Sequence, residues 1–255
     1  MTTVFLFAHQ DDEMGVFQTL QTLAARGEQQ VCIYLTNGDW NGLSPILRNA
    51  ESSRVLEGFG VAPGNIYFLG TDLGISDGTL PDNLVLAFTA LDSILEKVKP
   101  QRIILPAWEG GHQDHDGLHW LGAQLAQKLG ILHASRQFSL YRATSSGFIP
   151  YRVMAPLHAN GKLEYQPVSM MSAFRHAVTC FSYKTQRKAM LGLVPWMLLD
   201  QLLSRSERLQ PVLMARIEQR PHLGLLLYEK RGRYCFSQMT TALLRAGDAI
   251  RMPSQ

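Results

Sequence analysis

The sequence predicts an α/β fold: a Rossmann-like three-layer sandwich around a mostly parallel sheet, with a metal site at the carboxyl ends of the strands. Short apolar runs alternate with helix-period segments through the first half of the chain, the pattern of βαβ units. Each run is followed at once by an unusually polar stretch, and ligands of open α/β sheets bind beyond the strand carboxyl ends. The 255 residues, 46% of them hydrophobic and 18% charged, are enough for a sizeable core.

Taken in order, the strands are expected at 3–7, 31–36, 65–69, 102–106 and 137–142. Between the first two, Val16, Phe17, Leu20, Leu23 and Ala24 recur at helical spacing and Gly27 supplies the stop. Leu84, Phe88, Leu91 and Leu95 do the same before Lys99-Pro100, and a further helix is expected from near Asp116 through Leu118, Leu121 and Leu125 to Gly130. The second half is less regular. SSGFIPYRVMAPLHANGKLEY reads as loop or short antiparallel strands, and LGLLLYEKRGRYCFSQM as a hairpin turning at 230–232. A single domain is expected over 1–255, with a motif-bearing core at 1–145 and an irregular substrate-side part at 146–255.

The opening MTTVFLF is too short for a signal segment, and no window offers the ~20 apolar residues of a membrane helix. A soluble cytoplasmic protein is therefore expected. Cys32, Cys180 and Cys235 are far apart and lack CxxC spacing, which supports neither a disulfide framework nor a cysteine zinc site. The net charge of +3 hides an asymmetry: residues 1–130 hold 7 Lys+Arg against 15 Asp+Glu, and residues 131–255 hold 17 against 6. The acidic half suits a cation site; the basic half suits an anionic substrate, a membrane surface, nucleic acid or simply solvent.

The chemistry concentrates at two strand ends. AHQDDE (8–13) follows the first strand, and GGHQDH (110–115) follows the fourth. A catalytic zinc takes three protein ligands and leaves one position open. His9 and Asp12, three apart at a strand-to-helix turn, with one of His112 or His115, make such a set of two imidazoles and one carboxylate. Asp11, Asp114 and the remaining imidazole are then left for proton transfer.

AHQDDE, LTNGDWNG, RNAESSRVLEGFGV with FLGTD, and GGHQDH resemble, in order and spacing over residues 3–130, the PIG-L/LmbE family of zinc-dependent N-acetylglucosaminyl deacetylases. The family hallmarks are AHPDDE and HPDH. The resemblance implies that His9, Asp12 and His115 hold Zn²⁺, with Fe²⁺ as another candidate, that Asp11 is the general base, and that His112 stabilises the oxyanion or acts as acid. It also implies an Asp114 that orients or charge-stabilises His112, an Arg48 that grips the substrate, and a sugar-binding aspartate, Asp77 in preference to Asp72. The substrate would be a small molecule or glycan bearing an N-acetylated amino sugar. Gln10 and Gln113 replace the prolines of both motifs, which lowers the expected rigidity of both turns.

Plainer readings exist for each residue. Asp11 or Asp12 could cap the next helix, Arg48 could pair with Glu51 at the surface, Glu13 could favour a helix N-terminus or support a ligand, and His119 could be a packing residue. AMLGLVPWMLLDQLL (189–203) suits a core or lid helix interrupted by Pro195, or an amphipathic contact with a membrane surface. An iron/2-oxoglutarate oxygenase using His9, Asp11 and His115 would require a β-rich barrel and an arginine soon after the distal histidine, where the next is Arg136. A non-catalytic glycan- or nucleic-acid-binding protein conflicts with the complete set of base, ligand and acid positions, and no nucleic acid partner is expected.

Overall fold

Strand β1 (Thr2–Phe7) is buried on both faces, with Val4 and Leu6 in one apolar cluster and Phe5 and Phe7 in another. Side chains alternate along a strand, so one apolar run supplies two cores. In this computed structural model, which describes residues 1–144 and 151–251, β1 is the centre of the fold. After it come α1 (Phe17–Ala25), β2 (Gln29–Tyr34), α2 (Pro45–Gly58), β3 (Ile66–Tyr67), α3 (Leu69–Leu73), α4 (Leu84–Val98), β4 (Arg102–Pro106), α5 (Gln113–Lys128) and β5 (Arg136–Phe138). These five strands are parallel, in the order β3-β2-β1-β4-β5. The chain winds one way from β1 to β2 and the other way to β4, so the switch point lies between β1 and β4.

The second half adds β6 (Tyr141–Ala143), β7 (Tyr151–Val153), β8 (Glu164–Pro167), α6 (Met170–Cys180), α7 (Arg187–Ser204), β9 (Ser206–Pro211), α8 (Met214–Ile217), α9 (Leu227–Lys230) and α10 (Phe236–Arg251). β9 pairs antiparallel with β5 and β8 with β9, giving a seven-stranded, mostly parallel sheet; β6 and β7 form a separate antiparallel pair. Helices α4, α5 and α10 cover one face through Leu84, Leu91, Leu118, Leu125, Met239 and Leu243. On the other face lie α1, α2, α6 and α7, through Phe17, Leu20, Leu56, Ala177, Met190 and Val194.

Three expectations are corrected. The run 137–142 divides into β5 and β6, in different sheets, because the Glu109 carboxylate accepts the Leu140 and Tyr141 N–H groups at 2.7 and 3.0 Å and removes them from any ladder. The hairpin at 230–232 is instead a turn between α9 and α10, where Glu229 accepts from Leu226 N–H at 2.8 Å and Phe236 N–H at 3.0 Å and so holds both helix starts. Helix α5 begins at Gln113, not near Asp116, which places HQDH in its first turn. Part of the expected loop, 145–150, lies outside the described residues. The 189–203 segment falls within α7, with Pro195 inside the helix. Among the described residues, no helix is long and apolar enough to cross a membrane.

Candidate metal centre

The turn after β1 folds back on its own carboxylate. Asp12 Oδ2 accepts from the backbone N–H groups of Ala8 and His9 at 2.9 and 2.8 Å, while Asp12 Oδ1 lies 3.0 Å from His115 Nε2. His9, Asp12 and His115 are all buried, and each offers a ligand atom within 4.8 Å of the others. They come from the carboxyl end of β1 and the first turn of α5, on the two sides of the switch point. Two imidazoles and one carboxylate are the donor chemistry of a catalytic zinc or a related divalent ion.

Asp114 meets both imidazoles: its Oδ2 is 2.9 Å from His9 Nε2 and 3.7 Å from His112 Nδ1, so the carboxylate hydrogen-bonds His9 while the backbone N–H reaches His112. The same carboxylate accepts from Gly78 N–H at 2.6 Å and Leu80 N–H at 3.0 Å. A His9 proton held on Nε2 leaves the Nδ1 lone pair facing Asp12, 3.7 Å away, which is how a carboxylate prepares an imidazole for a cation. His112 caps α5: its Nδ1 accepts the Asp114 N–H at 3.2 Å, which favours a ring proton on Nε2, the nitrogen that stands 3.7 Å from Asp77 Oδ1 and 3.5 Å from Arg233 Nη1.

Charge is unbalanced within this small volume. Asp11, Asp12, Asp77 and Asp114 crowd around the imidazoles, and Arg48 is the guanidinium that reaches them, 3.5 Å from Asp11 Oδ1 and 3.8 Å from Asp77 Oδ2. Burial opposes a charge on His9, but the Asp77 charge and hydrogen bonds to Asp114, Asp12 and Asp77 hold its pKa well above the usual value. Burial likewise opposes ionisation of Asp12 and Asp77; His115 with His9 at Asp12, and His9 with His112 and Arg48 at Asp77, together outweigh it, and both carboxyls are held below the usual range. Such a cluster asks for a compensating cation. Asp11 is different: burial, with the Asp12 charge, lifts it to about 7 against the pull of Arg48. Burial, His9 and His115 push His112 well below the ordinary histidine value.

Asp11 also carries the backbone strain of the turn, at φ 130°. Its N–H donates to Glu13 Oε2 at 2.9 Å, and Glu13 is fully buried. Glu13 therefore pins the turn that presents Asp11, a contact that neither sequence reading of Glu13 specified. Positive φ in a non-glycine residue persists only where surrounding structure enforces it.

Arg48 is 3% exposed, which removes the surface pairing with Glu51; the Glu51 carboxylate instead accepts from Thr185 N–H at 3.1 Å. The guanidinium donates to Gly38 O at 2.7 Å and Gln10 O at 2.6 Å. Gly38 has φ +67°, and a Cβ there would sit 2.7 Å from Arg48 Nη1, so only glycine admits the contact. Arg48→Ala strands two carbonyls and two carboxylates; the expected loss is about 3–5 kcal/mol, checked as a fall in the denaturation midpoint. Gln10 and Gln113 replace ring rigidity with hydrogen bonds: Gln10 Nε2 to Asn49 Oδ1 at 2.8 Å, Gln113 Nε2 to Gly78 O at 3.2 Å.

Beside these groups opens a cavity of about 270 Å³ lined by His9, Asp11, Asp12, Arg48, Asp77 and His112. Asp72 is exposed on α3 and is not in its lining. His119 Nδ1 meets Pro106 O at 2.8 Å and packs beside Trp108, away from the cavity. The second half contributes Tyr141, Lys188, Arg231 and Arg233, and Arg233 stacks on Trp40 at 4.0 Å. No motif marks these residues; their sequence signal is the basic balance of residues 131–255.

Residues 4–126 match the family described as PIG-L, GlcNAc-PI de-N-acetylase. No curated protein matches the chain. Among solved structures it is similar to the A40926 pseudoaglycone deacetylase Dbv21, at TM-score 0.62 and 17% identity over 87% of this chain and 98% of that one. It is also similar to N,N'-diacetylchitobiose deacetylase from Pyrococcus horikoshii, at TM-score 0.58 and 15% identity over 82% of each chain. GalB, the 4-carboxy-2-hydroxymuconate hydratase of Pseudomonas putida KT2440, is similar at TM-score 0.50 and 12% identity over 83% of this chain and 96% of that one. One fold thus hosts different reactions, and the reaction has to be argued from the site. The match covers both motifs and the strands that carry them, and residues 4–126 of the chain are similar to the PIG-L family.

Proposed function

We propose that the protein is a metal-dependent hydrolase that removes the acetyl group from an N-acetylated amino sugar of a larger conjugate, giving acetate and a free amine. One observation supports this most directly: Asp11 lines the same cavity as His9, Asp12 and His112, next in sequence to a carboxylate that shares a potential ligand cluster with His9 and His115. A carboxylate base beside a cation-demanding cluster is what amide hydrolysis by activated water needs. Zn²⁺, or Fe²⁺ in its place, would be held by His9, Asp12 and His115, and when bound supplies Lewis acidity that polarises a carbonyl and acidifies water.

The chain's own residues do the rest. Asp11 takes a proton from the attacking water, and Arg48, 3.5 Å from its Oδ1, favours the ionised form against burial and fixes the side chain. His112 directs Nε2–H at the oxyanion of the tetrahedral intermediate, and Asp114 holds His9 in the tautomer a cation requires. The proton taken by Asp11 passes to the departing sugar nitrogen. Asp77, 3.7 Å from His112 and 3.8 Å from Arg48, is suited to accept sugar hydroxyls. The oxygenase alternative required a β-rich barrel, whereas the described residues form an open, mostly parallel sheet between helices.

The mouth of the cavity carries Lys188, Arg231 and Arg233, none with a carboxylate partner among the described residues, which favours an anionic remainder of the conjugate. Arg233→Ala is expected to raise KM roughly tenfold, the worth of one hydrogen bond to a charged group, with the smaller change in kcat. The direct test is acetate release from a panel of GlcNAc conjugates by metal-loaded protein. Turnover that chelation abolishes and added zinc restores is the expected result; a broad panel with no release removes the deacetylase reading.

A further inference from the structure

Helices α6 and α7 pack against each other on one face of the sheet and turn Ala173, Ala177, Cys180, Met190, Val194 and Met197 inward. Their outer faces are apolar as well. Nine of the 21 exposed large apolar side chains among the described residues lie between 170 and 203, among them Met171, Phe174, Val178, Trp196, Leu199 and Leu203. The spacing is helical on both elements, so these residues form outward stripes and not scattered exceptions. Val178 is 71% and Leu203 76% exposed, far beyond what packing within the chain explains.

Charge says what covers them. From 170 to 205 the chain holds five cations, Arg175, Lys184, Arg187, Lys188 and Arg205, all exposed and without an ion-pair partner among the described residues. The one acid in that span, Asp200, is held by Arg208. A second copy docked on this face would bring like charges together, which disfavours self-association. An anionic lipid surface meets both requirements, apolar contact and positive charge, and tryptophan is favoured at that boundary. The face is also continuous with the site: Lys188, Ala189, Gly192 and Leu193 of α7 line the cavity.

We propose that the outer face of α6 and α7 docks the protein on an anionic membrane surface, lying on it without spanning it, with the cavity mouth at the lipid boundary. This does not depend on the reaction assigned to the cavity. The test is co-sedimentation of the full chain with vesicles of phosphatidylcholine containing roughly 30% phosphatidylglycerol, against phosphatidylcholine alone, at low and high salt. Binding to the anionic vesicles at least about tenfold above the neutral ones, weakened by salt, is expected. Val178→Glu with Leu203→Glu should reduce that binding at least about tenfold while the melting profile stays unchanged, since both side chains already face solvent. Arg175→Glu with Lys184→Glu should do the same by charge alone. Absence of wild-type binding to anionic vesicles, equal binding to neutral ones, or undiminished binding by the glutamate variants would each overturn the proposal. So would a vesicle-independent dimer in light scattering that Val178→Glu with Leu203→Glu dissociates, because the face would then be a contact between copies.

Discussion

Asp11→Asn is expected to lower kcat by about a thousandfold while the bound metal stays at one per chain. Asparagine keeps the shape and loses the ability to take a proton, and none of the three proposed ligands is touched. Stability should hold or rise. Asp11 sits beside Asp12 and Glu13 with Arg48 3.5 Å from its Oδ1, and burial already disfavours its charge. Removing that charge relieves repulsion within the acidic cluster. Metal analysis, acetate release and thermal denaturation of the same preparation check all three statements. An Asn variant within tenfold of wild-type turnover would take Asp11 out of the role of base.

What could be read in the sequence, and what could not, follows from the distance between the residues that must agree. AHQDDE and HQDH each lie within six residues at a strand end, and the ligand geometry they imply is local to two turns. Arg48 and Asp77 could be placed near the site by family resemblance, and both line the cavity. The partner of Asp114 could not be read, because His9 is 105 residues away while His112 is two. Strand β9 was missed for another reason. Its buried residues include Ser206, Glu207 and Gln210, and Glu207 is satisfied by the N–H groups of Gln18 and Thr19 at 2.8 and 3.0 Å. A buried strand built from satisfied polar groups leaves no hydrophobic period to detect. The hairpin expectation failed similarly, since Glu229 holds two helix starts whose caps no local pattern announces.

His115→Ala should abolish both metal retention and the thermal stabilisation that metal confers, and the comparison with His112→Ala decides which cluster is the metal centre. Two groups of potential ligands share His9: His9, Asp12 and His115, and His9, Asp77, His112 and Asp114. The first is favoured because Asp114 is already committed to His9 Nε2, Gly78 N–H and Leu80 N–H, and His112 Nδ1 to the Asp114 N–H. Asp12 Oδ1, by contrast, faces His115 Nε2 directly at 3.0 Å, a contact an ion can replace without breaking any backbone hydrogen bond. A divalent ion at a thousandfold excess over its dissociation constant adds about 4 kcal/mol to folding stability, read as a rise in the denaturation midpoint. Wild-type protein stripped of metal and reloaded should show that rise; His115→Ala should show none. His112→Ala should keep the rise and lose about 3–4 kcal/mol of transition-state stabilisation, the usual worth of an oxyanion donor. If His112→Ala loses the metal and His115→Ala retains it, the ion belongs to the second cluster. The oxyanion role would then have to pass to another side chain.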